Sequence, residues 1–339
     1  MVPLHGWYMD QRTDDGVMVN REARLQTDLE GMVHVAGGVF TMGSDAHYPE
    51  EKPAHKVQVD PFWIDRHAVT NRDFARFVAA TGHVTLAERP ADPADYPGAD
   101  PAILAPSSVV LVPPPGRVDL RNHYNWWQYI AGADWRHPRG PGSSIEGLDA
   151  HPVVHVAYED ALAYALWVGK ELPGEAEWEL ASKGGMDGSE FAWGNELVPD
   201  GRYMANTWQG EFPWDNQQLD GYAFTAPVGS FPANGYGLFD MIGNVWEWTS
   251  DWYQEHGAIQ RSCCTLHNPR GGAREASIDA RSPQIRIPRR VTKGGSYACA
   301  PNYCRRYRPA ARMAQPVDTS TGHVGFRCIV RESKGGGPC

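Results

Sequence analysis

The sequence predicts a single α+β domain, irregular and loop-rich, with little regular secondary structure. Three observations carry that prediction. Glycine and proline number 36 and 27 in 339 residues, together well above the roughly 12% that soluble domains average, and they are scattered rather than periodic. Thirteen tryptophans lie among them, so large aromatics fill the interior in place of long amphipathic elements. Helical periodicity occurs in three short windows before Gly185 and nowhere after it. Hydrophobic residues at 42% and charged residues at 21% are near globular averages and exclude wholesale disorder.

Residues 1–30 are polar and unpatterned and read as an N-terminal arm, residues 31–332 as the folded unit, and residues 333–339 as a flexible tail. Met32-Val33-His34-Val35 followed by residues 37–44 is β-branched and aromatic sequence broken by glycines, which predicts a short hairpin. Residues 57–64 alternate apolar and polar and predict a strand. Thr70 reads as an N-cap with Asp73 three residues on, opening a helix that carries Phe74, Phe77 and Val78 on one face, and Gly82 ends it. Residues 88–118 are rich in proline and alanine and predict a long surface loop. A second helix is expected over 158–169, with Leu162, Ala165 and Leu166 inward. A third is expected over 173–183, with Pro173 in its first turn, Glu175 and Glu177 early, and Gly184-Gly185 behind it.

A net charge of −10 argues against nucleic acid, whose phosphates require clustered Lys and Arg. The dense basic run Arg305-Arg306-Tyr307-Arg308 adjoins two cysteines and suits a peptide or small molecule instead. No stretch approaches the roughly 20 apolar residues of a membrane helix, and residues 1–15 lack the apolar run of a secretory signal. Six cysteines in a chain of this length do not make a disulfide scaffold. Reduced thiols and a cytoplasmic location are the expectation.

The sharpest local feature is Gly294-Gly295-Ser296-Tyr297-Ala298-Cys299-Ala300-Pro301-Asn302-Tyr303-Cys304. Two thiols five positions apart on one loop can meet, and paired thiolates are soft donors suited to Cu(I). Arg305 and Arg306 should favour the thiolate form. On spacing alone a structural disulfide, half of a zinc site and two inert buried cysteines stay open. The zinc reading is weak because the remaining pair, Cys263-Cys264, is adjacent rather than spaced C-x₂₋₄-C.

Further landmarks are Gly38-Val39-Phe40-Thr41-Met42-Gly43-Ser44, Trp135-Arg136-His137-Pro138, His151-Pro152-Val153-Val154-His155-Val156 and Glu175-Ala176-Glu177-Trp178-Glu179. Ala205-Asn206-Thr207-Trp208-Gln209-Gly210, Gly243-Asn244-Val245-Trp246-Glu247-Trp248 and Gly325-Phe326-Arg327-Cys328 complete the set. Over residues 32–328 the chain resembles the formylglycine-generating enzyme family, the sulfatase-modifying factors. Most of these landmarks are shared by relatives with other roles, whereas the segment from Gly295 to Cys304 with its basic run marks the catalytic branch.

The resemblance implies a C-type-lectin-like fold and a copper-dependent, O₂-using oxidase. Such an enzyme converts the cysteine of a Cys-x-Pro-x-Arg stretch, in an unfolded sulfatase-type polypeptide, to Cα-formylglycine. Cys299 and Cys304 would ligate Cu(I), with the substrate cysteine as a third thiolate. Ser296 and Trp246 would line the oxygen side, and Tyr303 and Arg306 would orient the peptide. The resemblance also implies structural calcium: Asn206 and Asp220 with carbonyls of Thr207 and Tyr222 at one site, Asp240 and Glu247 with carbonyls of Gly243 and Val245 at another. Ordinary loop-closing hydrogen bonds are the plain alternative for those residues. Secreted members pair the counterpart of Cys328 with a cysteine where this chain has Ser182, so Cys328 should be a free, buried thiol. The insertion carrying Cys263-Cys264 is expected to be packing or loop. Two other functions fit the scaffold: an iron-dependent sulfoxide synthase of the ergothioneine type, and a non-catalytic lectin-like binding module.

Overall fold

A computed structural model describes residues 29–94, 96, 98, 100, 104–258, 265–281 and 285–332. The expected N-terminal arm, the C-terminal tail and the Cys263-Cys264 pair lie outside the described residues. Among the described residues, three α-helices and four small sheets make up most of the regular structure, with short 3₁₀ turns between them. The helices are α1 (Asn71–Thr81), α2 (Tyr158–Trp167) and α3 (Glu175–Lys183). The strands are β1 (Met32–Val35), β2 (Gly38–Met42), β3 (His55–Val59), β4 (Phe62–Asp65), β5 (Ser107–Leu111), β6 (Trp127–Ala131), β7 (Trp246–Trp252), β8 (Leu266–His267), β9 (Arg289–Lys293), β10 (Arg312–Pro316), β11 (Val324–Gly325) and β12 (Ile329–Arg331). They pair as β1-β4-β12, β10-β9-β7-β11, β2-β3-β8 and β5-β6. The expected α+β, loop-rich frame is the observed one.

Local chemistry explains the helix ends. Thr70 and Asp73 close a reciprocal capping box on α1, and Gly82 at φ 70° terminates it through an N–H to the Val78 carbonyl. Helix α2 buries Ala161, Tyr164 and Ala165, while Leu162 and Leu166 are only half-buried, so the inward stripe sits one step from the expected one. Pro173 lies just before the Gly174 N-cap of α3 rather than in its first turn.

Three expectations for strands need correction. β1 and β2 do not form a hairpin: β1 pairs with β4 and β2 with β3. Gly37 and Gly38, at φ 71° and 133°, redirect the chain between two sheets, and a Cβ on Gly37 would sit 2.4 Å from the Val59 carbonyl oxygen. The run 57–64 is two strands, broken at Asp60-Pro61, where proline has no N–H for a ladder. The segment 88–118 is not all surface loop. Its residues Ser107–Leu111 form β5 against β6, with Ser108, Val110 and Leu111 buried.

The core is aromatic, as the tryptophan count implied. Phe74 contacts Phe77 and Trp135 edge-on at 5.3 and 5.2 Å, and Tyr164 meets Phe326 at 5.3 Å. A second cluster gathers Leu111, Trp126, Trp208, Phe212, Tyr297, Ala298 and Ala300. Helix α3 is buried along its whole length, acids included. Its charges are matched: Arg312 grips Glu175 with two bonds of 2.7 Å, and Lys293 reaches Glu179 at 2.9 Å. Buried charges persist only when paired and fully bonded in this way.

These pairs matter for function because of where they fall. Arg312 opens β10, Lys293 closes β9, and the two are directly opposed in the antiparallel ladder. Residues 294–311 are therefore an excursion whose two ends α3 holds side by side. Glu247 of β7 also opposes Lys293, which sets Trp246 beside the base of the same loop.

Candidate active site

The loop over 294–311 carries both cysteines, and its first residues must be glycine. A Cβ on Gly294 would lie 3.0 Å from the Met241 carbonyl oxygen and 3.1 Å from the Trp178 ring. Gly295 stands at φ 72°, and a Cβ there would lie 2.7 Å from the Arg306 carbonyl oxygen. Backbone bonds then fix the path. Tyr297 N–H donates to the Asn244 carbonyl at 3.0 Å, Trp208 N–H to Cys299 at 3.0 Å, and Cys304 N–H to Ala300 at 2.9 Å. The last bond turns the chain back, so that the two sulfurs stand 3.2 Å apart. That exceeds a disulfide length of about 2.05 Å, and both are free thiols.

The two cysteines are electrostatically unlike. Cys304, accepting the Cys299 S–H and facing Arg306, has its thiol lowered to about 6 in spite of burial. Burial, together with the bond to Cys304, pushes Cys299 well above the usual thiol value. When the pair loses one proton, these surroundings favour the thiolate on Cys304 and the proton on Cys299. Of the two neighbouring arginines only Arg306 acts on the sulfurs, through Nη1 at 3.8 Å from Cys304 Sγ. Arg305 turns to Glu190 at 3.1 Å.

Arg306 is not a free peptide anchor. Its Nε donates to Glu50 Oε1 at 3.1 Å, its Nη2 donates to the same oxygen, and its Cζ stands 3.9 Å from the centre of the Tyr48 ring. Tyr303 is open to a partner: 38% exposed, it stacks on Phe212 at 4.7 Å and meets Trp126 edge-on at 5.3 Å. Ser296 is buried, and its Oγ accepts the Ala298 N–H at 3.3 Å. Trp246 is buried in the same apolar cluster as Cys299. Sequence reasoning missed Tyr48, Glu50, Phe212 and Trp126. They reach the site from distant segments, and nothing in their local spacing points there.

The residues expected to hold calcium form two touching groups. Asn244 N–H donates to the Asn206 carbonyl at 2.8 Å. In the first group Asn206 Oδ1 is buried with no hydrogen-bond partner, while Asp220 accepts from the Thr207 and Tyr222 N–H groups at 3.0 Å. The Thr207 carbonyl accepts from the Gln209 side-chain amide. In the second, Asp240 Oδ1 is likewise buried and unpartnered, and burial pushes this carboxyl up to about 6. Glu247 already accepts from Trp178 Nε1, Arg327 Nε and Arg327 Nη2, each at 2.7 Å, leaving about one of its four lone-pair positions. Each group thus leaves one buried oxygen unpartnered, of the hard-donor type that calcium takes, so the donor types fit calcium, with Glu247 the most committed elsewhere. Cys328 is a buried free thiol, and Ser182 Oγ donates to the Glu179 carbonyl at 2.8 Å.

The family model for the sulfatase-modifying factor enzyme 1-like domain matches residues 18–332. The formylglycine-generating enzyme of Mycobacterium tuberculosis is 51% identical over 304 residues, covering 89% of this chain and 98% of that one. That of Thermomonospora curvata is 46% identical over 310 residues, covering 89% and 94%. Among solved structures, PvdO from Pseudomonas aeruginosa superposes with a TM-score of 0.59 at 25% identity, covering 89% and 94%. Fold and relatives together define the class, a loop-rich α+β enzyme, and two free cysteines of this chain lie together on one glycine-led loop. The chain belongs to the formylglycine-generating enzyme family, the sulfatase-modifying factors.

Proposed function

We propose that this enzyme converts a cysteine of a sulfatase-type polypeptide to Cα-formylglycine, with O₂ as oxidant and Cu(I) held by Cys299 and Cys304. The observation that carries the reading is the reduced pair 3.2 Å apart, one sulfur beside a cation and the other buried. Relatives sharing 51% and 46% identity carry that activity in their names. The donor set is two soft sulfurs with no hard ligand between them, which suits Cu(I). Bound there, copper would supply a site for the substrate thiolate and a route for electrons to O₂. The overall change is –CH₂SH + O₂ + 2 e⁻ + 2 H⁺ → –CHO + H₂S + H₂O: the sulfur leaves as sulfide, one oxygen of O₂ ends in water, and an added reductant supplies the two electrons that the thiol carbon does not.

The chain's own residues supply position and charge. Cys304 presents the thiolate and Cys299 the proton that must leave when both sulfurs ligate. The face of Tyr303, backed by Phe212 and Trp126, gives an extended peptide a flat aromatic surface beside the sulfurs. The buried Ser296 hydroxyl is a donor for reduced oxygen, and Trp246 keeps that side apolar. Asn206 and Asp220 with the Thr207 and Tyr222 carbonyls, and Asp240 and Glu247 with those of Gly243 and Val245, would hold calcium and pin the loops under the site. The free Cys328 supports a reducing, cytoplasmic setting.

The test is aerobic incubation with copper and a reductant, comparing the parent with Cys299→Ser and Cys304→Ser. Loss of product in both variants, with the fold retained, is the expected result. Normal turnover by either variant refutes the roles. The sulfoxide-synthase alternative needs a histidine-held iron, and among the described residues no three His, Cys, Asp or Glu side chains converge as a metal-ligating group. A protein that binds peptide while taking up neither copper nor O₂ would favour the binding module.

A further inference from the structure

Arg306 is held on three sides. Its Nη1 points at Cys304 Sγ, its Nε and Nη2 both donate to Glu50 Oε1, and the Tyr48 ring covers the guanidinium face at 3.9 Å. The two residues that hold it are themselves anchored. Both lie at a 3₁₀ turn, Pro49–Glu51. Glu51 is fully buried and takes both Arg308 amino groups, Nη1 at 2.8 Å. Arg312 Nη1 donates to the Glu50 carbonyl at 3.2 Å, and Tyr48 Oη accepts the Arg305 N–H at 3.0 Å. The turn is therefore cross-linked to the site loop at Arg305, Arg306, Arg308 and Arg312, and every member of the basic run except Tyr307 is used. Glu51 and Arg308 explain themselves as a buried structural pair. Glu50 and Tyr48 do not, because both are only half-buried, the Glu50 carboxylate is spent on Arg306, and the Tyr48 ring lies nearer Arg306, at 3.9 Å, than Arg308, at 5.7 Å.

We propose that Glu50 and Tyr48 are positioning residues for the thiol pair, holding the Arg306 guanidinium against Cys304 Sγ so that a fixed cation offsets the charge of the two sulfurs. The inference rests on Cys299 and Cys304 being the reactive pair. Two thiolates on a monovalent copper carry net negative charge in a largely buried site, and burial makes uncompensated charge expensive. A long arginine left unanchored could turn to solvent or to Glu190, which already takes Arg305. The other titratable groups facing the sulfurs, Tyr303 and Tyr307, carry no positive charge in either protonation state, so among the described residues Arg306 is the cation that reaches Cys304. Glu50 also bears a charge opposite to Arg306, so the alternative is that it merely cancels the arginine. That alternative predicts the opposite sign.

The test compares the parent, Glu50→Ala, Glu50→Gln and Tyr48→Leu in two measurements. In the metal-free protein at pH 7, peptide mass spectrometry follows the rate at which iodoacetamide labels Cys304. Separately, competition with a chromophoric Cu(I) chelator gives copper affinity. Glu50→Ala should slow Cys304 labelling several-fold and weaken Cu(I) binding about 10- to 100-fold, the usual effect of removing an outer partner of a metal ligand. Tyr48→Leu should move both in the same direction by less. Glu50→Gln, which keeps one acceptor for Arg306, should fall between, and it carries the test if the alanine variant does not fold. Unchanged or faster labelling in the Glu50 variants overturns the proposal. If the parent takes up no Cu(I) yet labelling depends on Glu50, the clamp stands and the copper reading falls.

Discussion

The surroundings of Cys299 and Cys304 push their thiols in opposite directions, Cys299 up and Cys304 down. Cys299 is enclosed in the apolar cluster with Trp246, whereas Cys304 accepts its partner's S–H and lies against Arg306. Replacing either sulfur by oxygen changes volume little but removes a soft donor. Cys299→Ser and Cys304→Ser should therefore each abolish turnover while the protein loses only about 1 kcal/mol of stability, as product analysis and thermal melts would show. A variant that melts normally and still turns over contradicts the assignment. At this scale the sequence was most informative, because thiols and their spacing are visible without a fold. Arg306 was legible as a neighbour but not in its direction: its guanidinium is turned to Cys304, Glu50 and the Tyr48 ring. Glu50 and Tyr48 were not legible at all, since tertiary structure alone brings a turn near residue 50 onto residue 306.

The site loop depends on elements whose role is mechanical. Gly295 stands at φ 72°, where an added Cβ would meet the Arg306 carbonyl oxygen at 2.7 Å, so Gly295→Ala should cost about 2 kcal/mol and lower activity more than tenfold by displacing Cys304. An unchanged melting temperature and rate would show that the close approach is unimportant. Helix α3 holds the loop's two ends through Arg312 and Lys293, and β12 holds α3 in turn. Arg331 grips Glu177 with two bonds of 2.7 Å, and Arg270 adds two of 3.2 Å. Burial pushes the Glu177 carboxyl up, yet these cations outweigh it and bring it from the ordinary 4.5 down to about 2. Its contribution to stability is then complete above pH 4.5 and is lost as the pH falls toward 2. Across that window unfolding free energy should drop by on the order of 3 kcal/mol, and Glu177→Gln should flatten the slope in acid titrations of denaturant midpoint. Helices were readable from caps and periodicity, as Thr70, Asp73 and Gly82 show. Strand partners were not: β1 and β2 are neighbours in sequence but belong to different sheets, and β5 hid in a proline-rich stretch. The acids of α3 look like a helix-dipole pattern and prove to be buried ion partners whose arginines lie 93 to 154 residues away.

With so little regular structure, the whole molecule depends on loop-to-loop contacts, and the Asn206 and Asp240 groups sit where two such loops meet. Each leaves one buried oxygen unbonded, which costs about 1–3 kcal/mol if nothing binds there. Exhaustive chelation should lower the melting temperature by several degrees, and added Ca²⁺ should restore it, since a ligand at 1,000 times its Kd contributes about 4 kcal/mol. Identical melts with and without chelator would return these residues to plain loop-closing hydrogen bonding. The central claim is chemical, and one measurement reaches it most directly. A Cys-x-Pro-x-Arg peptide is incubated in air with the Cu(I)-loaded protein and a reductant, and its mass is followed. The account predicts a product that has exchanged its thiol sulfur and two hydrogens for one oxygen, formed only when copper, O₂, Cys299 and Cys304 are all present. An unchanged peptide in the presence of bound copper, or the same product from a protein lacking either cysteine, would contradict it.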